Sequence, residues 1–298
     1  MNYFSTFFLF ITWNPNPELI RIGDFAIRWY GLFWALGFLI GQYLMTWFYK
    51  IEKRDMKDLD SLLVYMLTST VVGARLGHCL FYEPMDYLTN PIEILYVWQG
   101  GLASHGATVG ILLGVYLYAY KKYETDMFFY KYILFPFRII GLAGNAPENE
   151  GKKYKWFYLL DRLVITIALG GGFIRMGNLM NSEIIGKATD VPWAFIFTSV
   201  DYVPRHPSQL YEALSCFVLF AIILTYYLIN KEKTPNGLIF SFFCVFLFTL
   251  RFAYEFTKEN QVDFESQLPF NMGQLLSIPM IFIGIWVLYR SLTKPLDI

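Results

Sequence analysis

The sequence predicts an all-α fold, arranged as a polytopic integral membrane protein with about seven transmembrane helices. Hydrophobic residues make up 56% of the 298 residues and charged residues only 16%, against roughly 25% charged residues in soluble proteins. Such an apolar excess requires lipid as its solvent. The net charge of zero gives no support to nucleic-acid binding. Because no repeat or polar linker divides the chain, we expect one domain over 1–298.

Apolar runs long enough to cross a hydrocarbon layer of about 30 Å as a helix of about 20 residues occur along most of the chain. Unpaired backbone groups are costly in lipid, and the runs are too long for barrel strands, so we predict that they are helical. They lie near 25–49, 61–82, 102–120, 157–177, 209–229, 237–256 and 272–290.

Lysine and arginine residues are concentrated in alternate connections, which are therefore expected to be cytoplasmic. The remaining loops, around 83–101, 178–208 and 257–271, contain only Lys187, Arg205 and Lys258 as basic residues. We expect these loops and the N-terminus to face outward, and the C-terminus to be cytoplasmic.

One further segment, near 128–156, is apolar but carries Lys131, Pro136 and Arg138 and has basic residues on both sides. If it crossed the membrane, every later loop would change sides and the charge asymmetry would invert. We therefore predict an extra cytoplasmic or interfacial segment.

Polar residues gather toward the outer ends of the predicted spans. An intramembrane charge costs roughly 2.5–3.5 kcal/mol at the helix centre, so such residues are usually functional or paired. The set comprises Arg28, Tyr30, Arg75, His105, Arg175, Asn178, His206, Glu212, Arg251, Glu255 and Gln274. We expect one site at the outer leaflet.

The residue types suggest roles, with alternatives. His105 lies among glycines at a membrane boundary and suits a general base, although a structural histidine bonded to a carbonyl would look the same. The guanidinium of Arg175 matches a phosphate with two hydrogen bonds, a reading that we favour over an ion pair with Glu183. Arg251 and Glu255 are four residues apart, so an internal ion pair is the alternative to a role at the site.

Other features leave structural readings open. Arg75 is expected to bind the same anion or to anchor Glu83. The glycines beside Arg75, His105 and Arg175 either allow close helix packing or expose backbone N–H groups to an anion. In the loop 201–212, prolines suggest rigid positioning rather than chemistry by His206, and Ser208 is a candidate helix cap.

Six short motifs resemble those of the bacterial prolipoprotein diacylglyceryl transferases. They are 29–31 (WYG), 101–106 (GLASHG), 175–183 (RMGNLMNSE), 205–212 (RHPSQLYE), 251–255 (RFAYE) and 272–277 (MGQLLS). The motifs occur in the family's order and cover most of the chain. Two positions depart from the family pattern: Ala107 and Ser182 stand where the family usually has glycine.

The resemblance implies transfer of the diacylglyceryl group of phosphatidylglycerol to the lipobox cysteine thiol of preprolipoproteins. A thioether forms and glycerol phosphate is released, which is the first step of lipoprotein maturation. The implied location is the bacterial cytoplasmic (inner) membrane, with the active site toward the outer face. The implied partners are phosphatidylglycerol, preprolipoprotein lipobox segments and the lipid bilayer.

The resemblance also implies the site residues. His105, Arg175 and Arg251 would be catalytic, with His105 as candidate thiol base and the two arginines holding the phosphate. The substrate-binding residues would be Arg175, Tyr30, Asn178, Glu183, Glu255 and Gly186, the last forming a turn. Whether another group takes the thiol proton, and whether Arg251 acts mainly on Glu255, stay open.

No cofactor and no metal ion are expected, since diacylglyceryl transfer from a lipid needs neither. The acceptor cysteine belongs to the substrate, and Cys79, Cys216 and Cys244 all fall in apolar runs.

A transporter would more commonly show repeated halves with helices broken near the bilayer midplane. An intramembrane serine protease would be expected to carry a nucleophile motif that this chain lacks. A scaffold without catalysis would leave the motifs unexplained.

Overall fold

The computed structural model describes residues 10–23, 25–97, 100–101, 103–123, 155–259 and 269–293. Its helices are α1 (Trp29–Ile51), α2 (Met56–Phe81), α3 (Pro84–Thr89), α4 (Ser104–Tyr123), α5 (Trp156–Met180), α6 (Ser208–Asn230), α7 (Leu238–Glu255) and α8 (Met272–Thr293). Short 3-10 turns lie at Pro91–Leu95 and Lys231–Lys233. The strands are β1 (Ile11–Trp13), β2 (Glu18–Ile22), β3 (Phe25–Arg28), β4 (Phe195–Phe197) and β5 (Pro204–Arg205).

Within the described residues, six helices are long and apolar enough to cross a membrane, and Gly106–Tyr120 in α4 is a shorter apolar helix. The predicted all-α membrane fold with about seven helices is thereby confirmed. The predicted start of the first span is wrong, because Phe25–Arg28 pairs with β2 in an antiparallel hairpin. Gly23, at a φ of 60°, allows the tight turn between these strands. Arg28 therefore ends a strand and does not lie in a span.

The chain divides into two compact units. The first contains 1–45 and 161–296, and the second contains 46–160 with the last two residues. The expectation of one domain over 1–298 stays a prediction. The predicted interfacial segment near 128–156 lies, up to residue 154, outside the described residues.

In the second unit, α2 and α4 pack along a line of glycines. A Cβ atom at Gly73 would clash with the carbonyl oxygen of Gly106, and one at Gly106 would clash with the carbonyl oxygen of Gly73. Gly110 lies equally close to the carbonyl of Ser69. Without side chains the two backbones approach directly, as small residues permit between helices in membranes. Close packing is therefore the role of these glycines, including the one next to His105.

In the first unit, a small sheet packs at the end of α5. Strand β1 pairs in parallel with β4, and β4 pairs antiparallel with β5. Phe195 and Phe197 of β4 form a core cluster with Leu179. The indole Nε1 of Trp13 donates a hydrogen bond of 2.9 Å to the carbonyl of Leu179. These contacts fix the end of α5, where Arg175 and Asn178 lie.

The N-terminus of α7 is capped by a carboxylate from α5. Asp161 is fully buried. Its Oδ2 accepts a hydrogen bond of 2.8 Å from the backbone N–H of Gly237, and its Oδ1 accepts one of 2.8 Å from Phe240. The cap satisfies donors that a helix leaves unpaired at its start.

Substitution of Asp161 by alanine is expected to destabilise the protein by about 2–4 kcal/mol, because two buried N–H groups lose their acceptor. Thermal unfolding in detergent, followed by tryptophan fluorescence, measures the change. The control is Asp55→Ala, which removes the exposed cap of α2 at Lys57 N and should cost about 1 kcal/mol. Equal, small losses for both variants would contradict the role given to Asp161.

Candidate functional site

A row of side chains with alternating positive and negative charges lies in the first unit. The outer ends of α5, α6 and α7 were predicted to meet here. Arg175 Nε lies 2.7 Å from Glu212 Oε2. Glu212 Oε1 lies 2.6 Å from the ammonium of Lys258, which also lies 2.8 Å from Glu255 Oε1. The same oxygen of Glu255 lies 3.8 Å from Arg251 Nε. The structure thus brings Arg175, Arg251 and Glu255 into one network.

The Arg175 end of this network continues through an amide. Arg175 Nη1 donates a 3.2 Å hydrogen bond to Asn178 Oδ1, and Asn178 Nδ2 donates a 3.1 Å bond to Glu183 Oε2. The other oxygen of Glu183 accepts a 3.1 Å bond from Asn181 Nδ2. Glu183 therefore orients Asn178, while the carboxylate beside Arg175 is that of Glu212. The side chain of Arg175 keeps 21% of its surface exposed.

The Arg251 end is more open. Arg251 keeps 39% of its side-chain surface exposed, whereas Glu255 keeps only 6%. Glu255 Oε2 accepts a 3.1 Å hydrogen bond from Asn271 Nδ2. Its carboxylate also packs against the Cα of Gly273, where any side chain would clash. Glu255 is thus held firmly, while the guanidinium of Arg251 has free surface for a ligand.

Sequence reasoning missed Lys258, which it counted as an ordinary basic residue of an outer loop, and it did not consider Asn271. It placed Glu212 among the polar residues of the site but assigned it no role. Helical spacing contained a signal for Lys258. Positions 251, 255 and 258 are separated by four and three residues, which puts their side chains on one face of a helix. The Lys258 N–H bonds the Glu255 carbonyl at 3.3 Å, so this spacing continues one turn past the end of α7.

The loop that follows α5 has a strained backbone. Ser182 has a φ of 55° and Ile184 a φ of 57°, in the left-handed region that a β-branched residue rarely adopts. Gln209 Nε2 donates a 2.5 Å hydrogen bond to the carbonyl of Glu183, between these two residues. The loop that presents Glu183 is therefore held in place by α6.

Gly186 is needed in this loop for close packing and not for a turn. It lacks a positive φ, and its N–H donates a 3.0 Å hydrogen bond to the carbonyl of His206. A Cβ atom there would clash with that carbonyl and with Ser208 Oγ. The expected turn is wrong because Gly186 forms an antiparallel bridge with Lys258 instead.

Substitution of Ser182 by glycine is expected to stabilise the protein by about 0.5–1 kcal/mol, because glycine adopts a positive φ without the clash of a Cβ atom. Thermal unfolding in detergent measures this gain. The matched control is Ser61→Gly, within helix α2, which should lower stability by about as much. A loss of stability in both variants would contradict the strain assigned to Ser182.

Tyr30 lies next to the Arg175 end of the network. Gly177 packs against its Cα and ring, so closely that a Cβ at Gly177 would clash with the ring. Tyr30 also lines a cavity of about 400 Å³ together with Arg28 and Asn181. Because Gly177 directly precedes Asn178 in α5, this contact brings Tyr30 close to the Arg175 end of the network.

The loop before α6 has a structural role, as predicted. Arg205 Nη2 lies 2.6 Å from Asp201 Oδ2, and Arg205 Nη1 lies 2.9 Å from Glu259 Oε1. The hydrogen bond from Arg205 lowers the pKa of the Asp201 carboxyl. Partial burial lowers the pKa of His206, whose Nδ1 lies 3.2 Å from the hydroxyl of Tyr211. The lower pKa favours the uncharged form of the His206 ring.

The predicted cap by Ser208 is wrong. Ser208 is the first residue of α6, and the capping position is Pro207, whose side chain makes no capping hydrogen bond. The hydroxyl of Ser208 instead lies 3.2 Å from Thr257 Oγ1. This bond ties α6 to the segment that carries Lys258. It differs from the serine–histidine contact of a hydrolase.

Two other predicted residues belong to the second unit. Arg75 donates hydrogen bonds to the carbonyls of Ile94, Gly100 and Glu93 at 3.0, 2.6 and 2.5 Å. Glu83 bonds His78 at 3.3 Å. Arg75 thus bonds backbone carbonyls and not Glu83, and these bonds hold the loop ahead of α4. His105 lies in the first turn of α4, and its side chain falls outside the described part of the chain.

Chemically, the network suits a phosphate group. Among the groups in direct contact, three cations, Arg175, Arg251 and Lys258, face two carboxylates, Glu212 and Glu255. Glu183 reaches Arg175 only through the amide of Asn178, so these five side chains carry an excess positive charge. Two partly exposed guanidinium groups provide forked donors that match phosphate oxygens.

Comparison with known proteins agrees with this chemistry. The model of the family described as prolipoprotein diacylglyceryl transferase matches residues 17–145 and 148–290. A protein of Chloroherpeton thalassium named phosphatidylglycerol--prolipoprotein diacylglyceryl transferase is 42% identical over 285 residues, covering 96% of each chain. Proteins with the same name from Tolumonas auensis and Bacteroides fragilis are 42% and 39% identical, covering 94% of this chain and 96% and 95% of theirs.

Proposed function

The chain belongs to the prolipoprotein diacylglyceryl transferase family, and from that premise we propose that it transfers the diacylglyceryl group of phosphatidylglycerol to the lipobox cysteine of preprolipoproteins. The observation that carries the proposal is the network of Arg175, Glu212, Lys258, Glu255 and Arg251, with its excess positive charge. Two partly exposed guanidinium groups suit an anionic ligand, and a phospholipid phosphate has the right chemistry.

In the proposed reaction, the cysteine thiolate attacks the glyceryl carbon that carries the phosphate. A carbon–sulfur bond forms while the carbon–oxygen bond to the phosphate breaks, and glycerol phosphate leaves with the electron pair. Arg175 and Arg251 hold the phosphate and stabilise the charge that develops on the leaving group. His105 takes the thiol proton, since the thiolate is the nucleophile.

The remaining residues position the arginines and the lipid. Glu212 and Glu255 orient Arg175 and Arg251 through the ion pairs at 2.7 and 3.8 Å. Asn178 and Glu183 hold Arg175 from the other side, and Tyr30 borders Asn178 through its packing on Gly177. Gly186 keeps the loop that carries Glu183 close to the start of α6.

We also propose that the protein lies in the bacterial cytoplasmic membrane, with the site toward the outer face. The N-terminus would be outside and the C-terminus inside, and the segment near 128–156 would form a cytoplasmic or interfacial part of a single domain. This topology is supported by the concentration of lysine and arginine residues in alternate loops.

The test is transfer by the purified protein in liposomes. Phosphatidylglycerol and a lipobox peptide are supplied, and mass spectrometry follows the gain of a diacylglyceryl group on the cysteine. A peptide with serine in place of the cysteine, and liposomes of phosphatidylethanolamine, should both give no product. An unmodified peptide, under conditions in which the relative from Bacteroides fragilis modifies it, would overturn the proposal.

A further inference from the structure

Lys258 is a buried cation at the centre of the network. Only 2% of its side-chain surface is exposed, and its ammonium lies 2.6 Å from Glu212 Oε1 and 2.8 Å from Glu255 Oε1. It thus joins the carboxylate that contacts Arg175 to the carboxylate that contacts Arg251. A lysine so deeply buried is held by its charge partners, because burial of an unpaired ammonium is very costly.

The backbone of Lys258 is fixed as firmly as its side chain. Lys258 bridges Gly186 in an antiparallel pair, and the N–H of Lys187 donates a 2.7 Å hydrogen bond to the carbonyl of Thr257. The segment that contains Lys258 is therefore attached to the loop that presents Glu183. One residue connects the loop after α5 with the carboxylates on α6 and α7.

The carboxylate oxygens are shared between cations. Glu212 gives one oxygen to Lys258 and the other to Arg175. Glu255 Oε1 lies 1 Å closer to Lys258 than to Arg251, at 2.8 Å against 3.8 Å. Lys258 therefore takes much of the negative charge that would otherwise neutralise the two arginines.

This sharing has a consequence for anion binding. Without Lys258, two arginines would face two carboxylates, and the group would be neutral. With Lys258, the five side chains keep one positive charge, and a second charge develops on the phosphate of the substrate when its carbon–oxygen bond breaks. A preorganised positive site stabilises such a charge most where water is excluded.

We propose that Lys258 is a positioning residue that satisfies Glu212 and Glu255, and thereby leaves Arg175 and Arg251 available to the phosphate of the lipid. The inference rests on the proposed function for the identity of the lipid. Lys258 itself does not contact the phosphate, and its effect passes through the two carboxylates. Its removal would let both carboxylates close onto the arginines.

The test compares three variants with the wild type: Lys258→Met, Lys258→Arg, and Lys258→Met combined with Glu212→Gln. The double variant removes one positive and one negative charge, so it restores the excess charge of the network. For each protein, the Kd for short-chain phosphatidylglycerol is measured without peptide, and KM and kcat are measured with a lipobox peptide. Thermal unfolding in detergent reports whether each variant is folded.

We expect Lys258→Met to raise both Kd and KM for phosphatidylglycerol about tenfold or more, the scale seen when one member of a buried charge network is lost. Lys258→Arg should stay within about threefold of the wild type, since it keeps the charge. The double variant should recover part of the lost affinity, since Glu212→Gln restores the charge but also removes the carboxylate that orients Arg175. Partial unfolding would lower kcat alone, because KM does not depend on the fraction of active protein.

An unchanged Kd in Lys258→Met, or a double variant as weak as the single one, would overturn the inference. If Lys258→Met cannot be purified, Lys258→Gln takes its place, and the same rise in Kd is expected. A wild type that binds phosphatidylglycerol but modifies no peptide would contradict the proposed function. In that case the Kd series would still decide the role of Lys258.

Discussion

Replacement of Arg175 by alanine is expected to lower kcat/KM for diacylglyceryl transfer about a thousandfold or more. The change removes the forked donor that we propose holds the phosphate, and it leaves Glu212, 2.7 Å away in the wild type, without its arginine. Mass spectrometry of the lipobox peptide gives the rate at several concentrations of phosphatidylglycerol.

Two controls separate phosphate binding from charge alone and from folding. Arg175→Lys keeps the charge but loses the fork, so an intermediate loss is expected. Arg21→Ala removes an exposed arginine of strand β2 that pairs with Glu18 at 2.5 Å, and it should leave transfer unchanged. Full activity of Arg175→Ala would show that the phosphate is bound elsewhere.

Replacement of His105 by glutamine is expected to lower the rate about 100-fold to 10,000-fold near neutral pH, the usual range for loss of a general base. The variant then depends on thiolate that forms spontaneously. Because a free cysteine has a pKa near 8.5, its rate should rise about tenfold per pH unit below that value. The ratio of the wild-type rate to the rate of the variant should therefore decrease between pH 7 and pH 9. A profile of transfer rate against pH measures this ratio.

The control for His105 is His206→Gln. The ring of His206 bonds Tyr211 at 3.2 Å and positions a loop, so we expect a loss of less than about fivefold, with no narrowing at high pH. A gap for His105→Gln that stays constant with pH would assign the thiol proton to another group.

The sequence was sufficient for the long apolar helices, because apolar length is a direct signal of a membrane span. It failed at residues 25–28, where an apolar stretch next to a span is a strand that pairs with β2. Composition cannot distinguish a helix from a strand here, because pairing with β2 and the turn at Gly23 determine the structure. The predicted helix cap by Ser208 failed for a similar reason, because Thr257, distant in sequence, lies 3.2 Å from the Ser208 hydroxyl.

At the site, the sequence identified the arginines and carboxylates but not their partners. Arg175 was expected to have no carboxylate partner other than Glu183, whereas Glu212, 37 positions away, is the residue that meets it. Lys258 looked like a loop cation because its burial depends on Glu212 and Glu255 together. Arg75 looked like part of the site, yet its bonds to carbonyls are set by how the following loop folds. Such pairings depend on the tertiary structure, which the spacing of residues along the chain does not reveal.

The contact between α2 and α4 has a consequence for how this protein can evolve. Gly73 and Gly106 each lie where a Cβ atom would clash with the carbonyl of the other. Because glycine is already the smallest residue, a larger residue on one helix cannot be compensated by a smaller residue on the other. Each position must stay fixed on its own. We therefore expect such a contact to leave no covariation in related sequences, although the two residues touch.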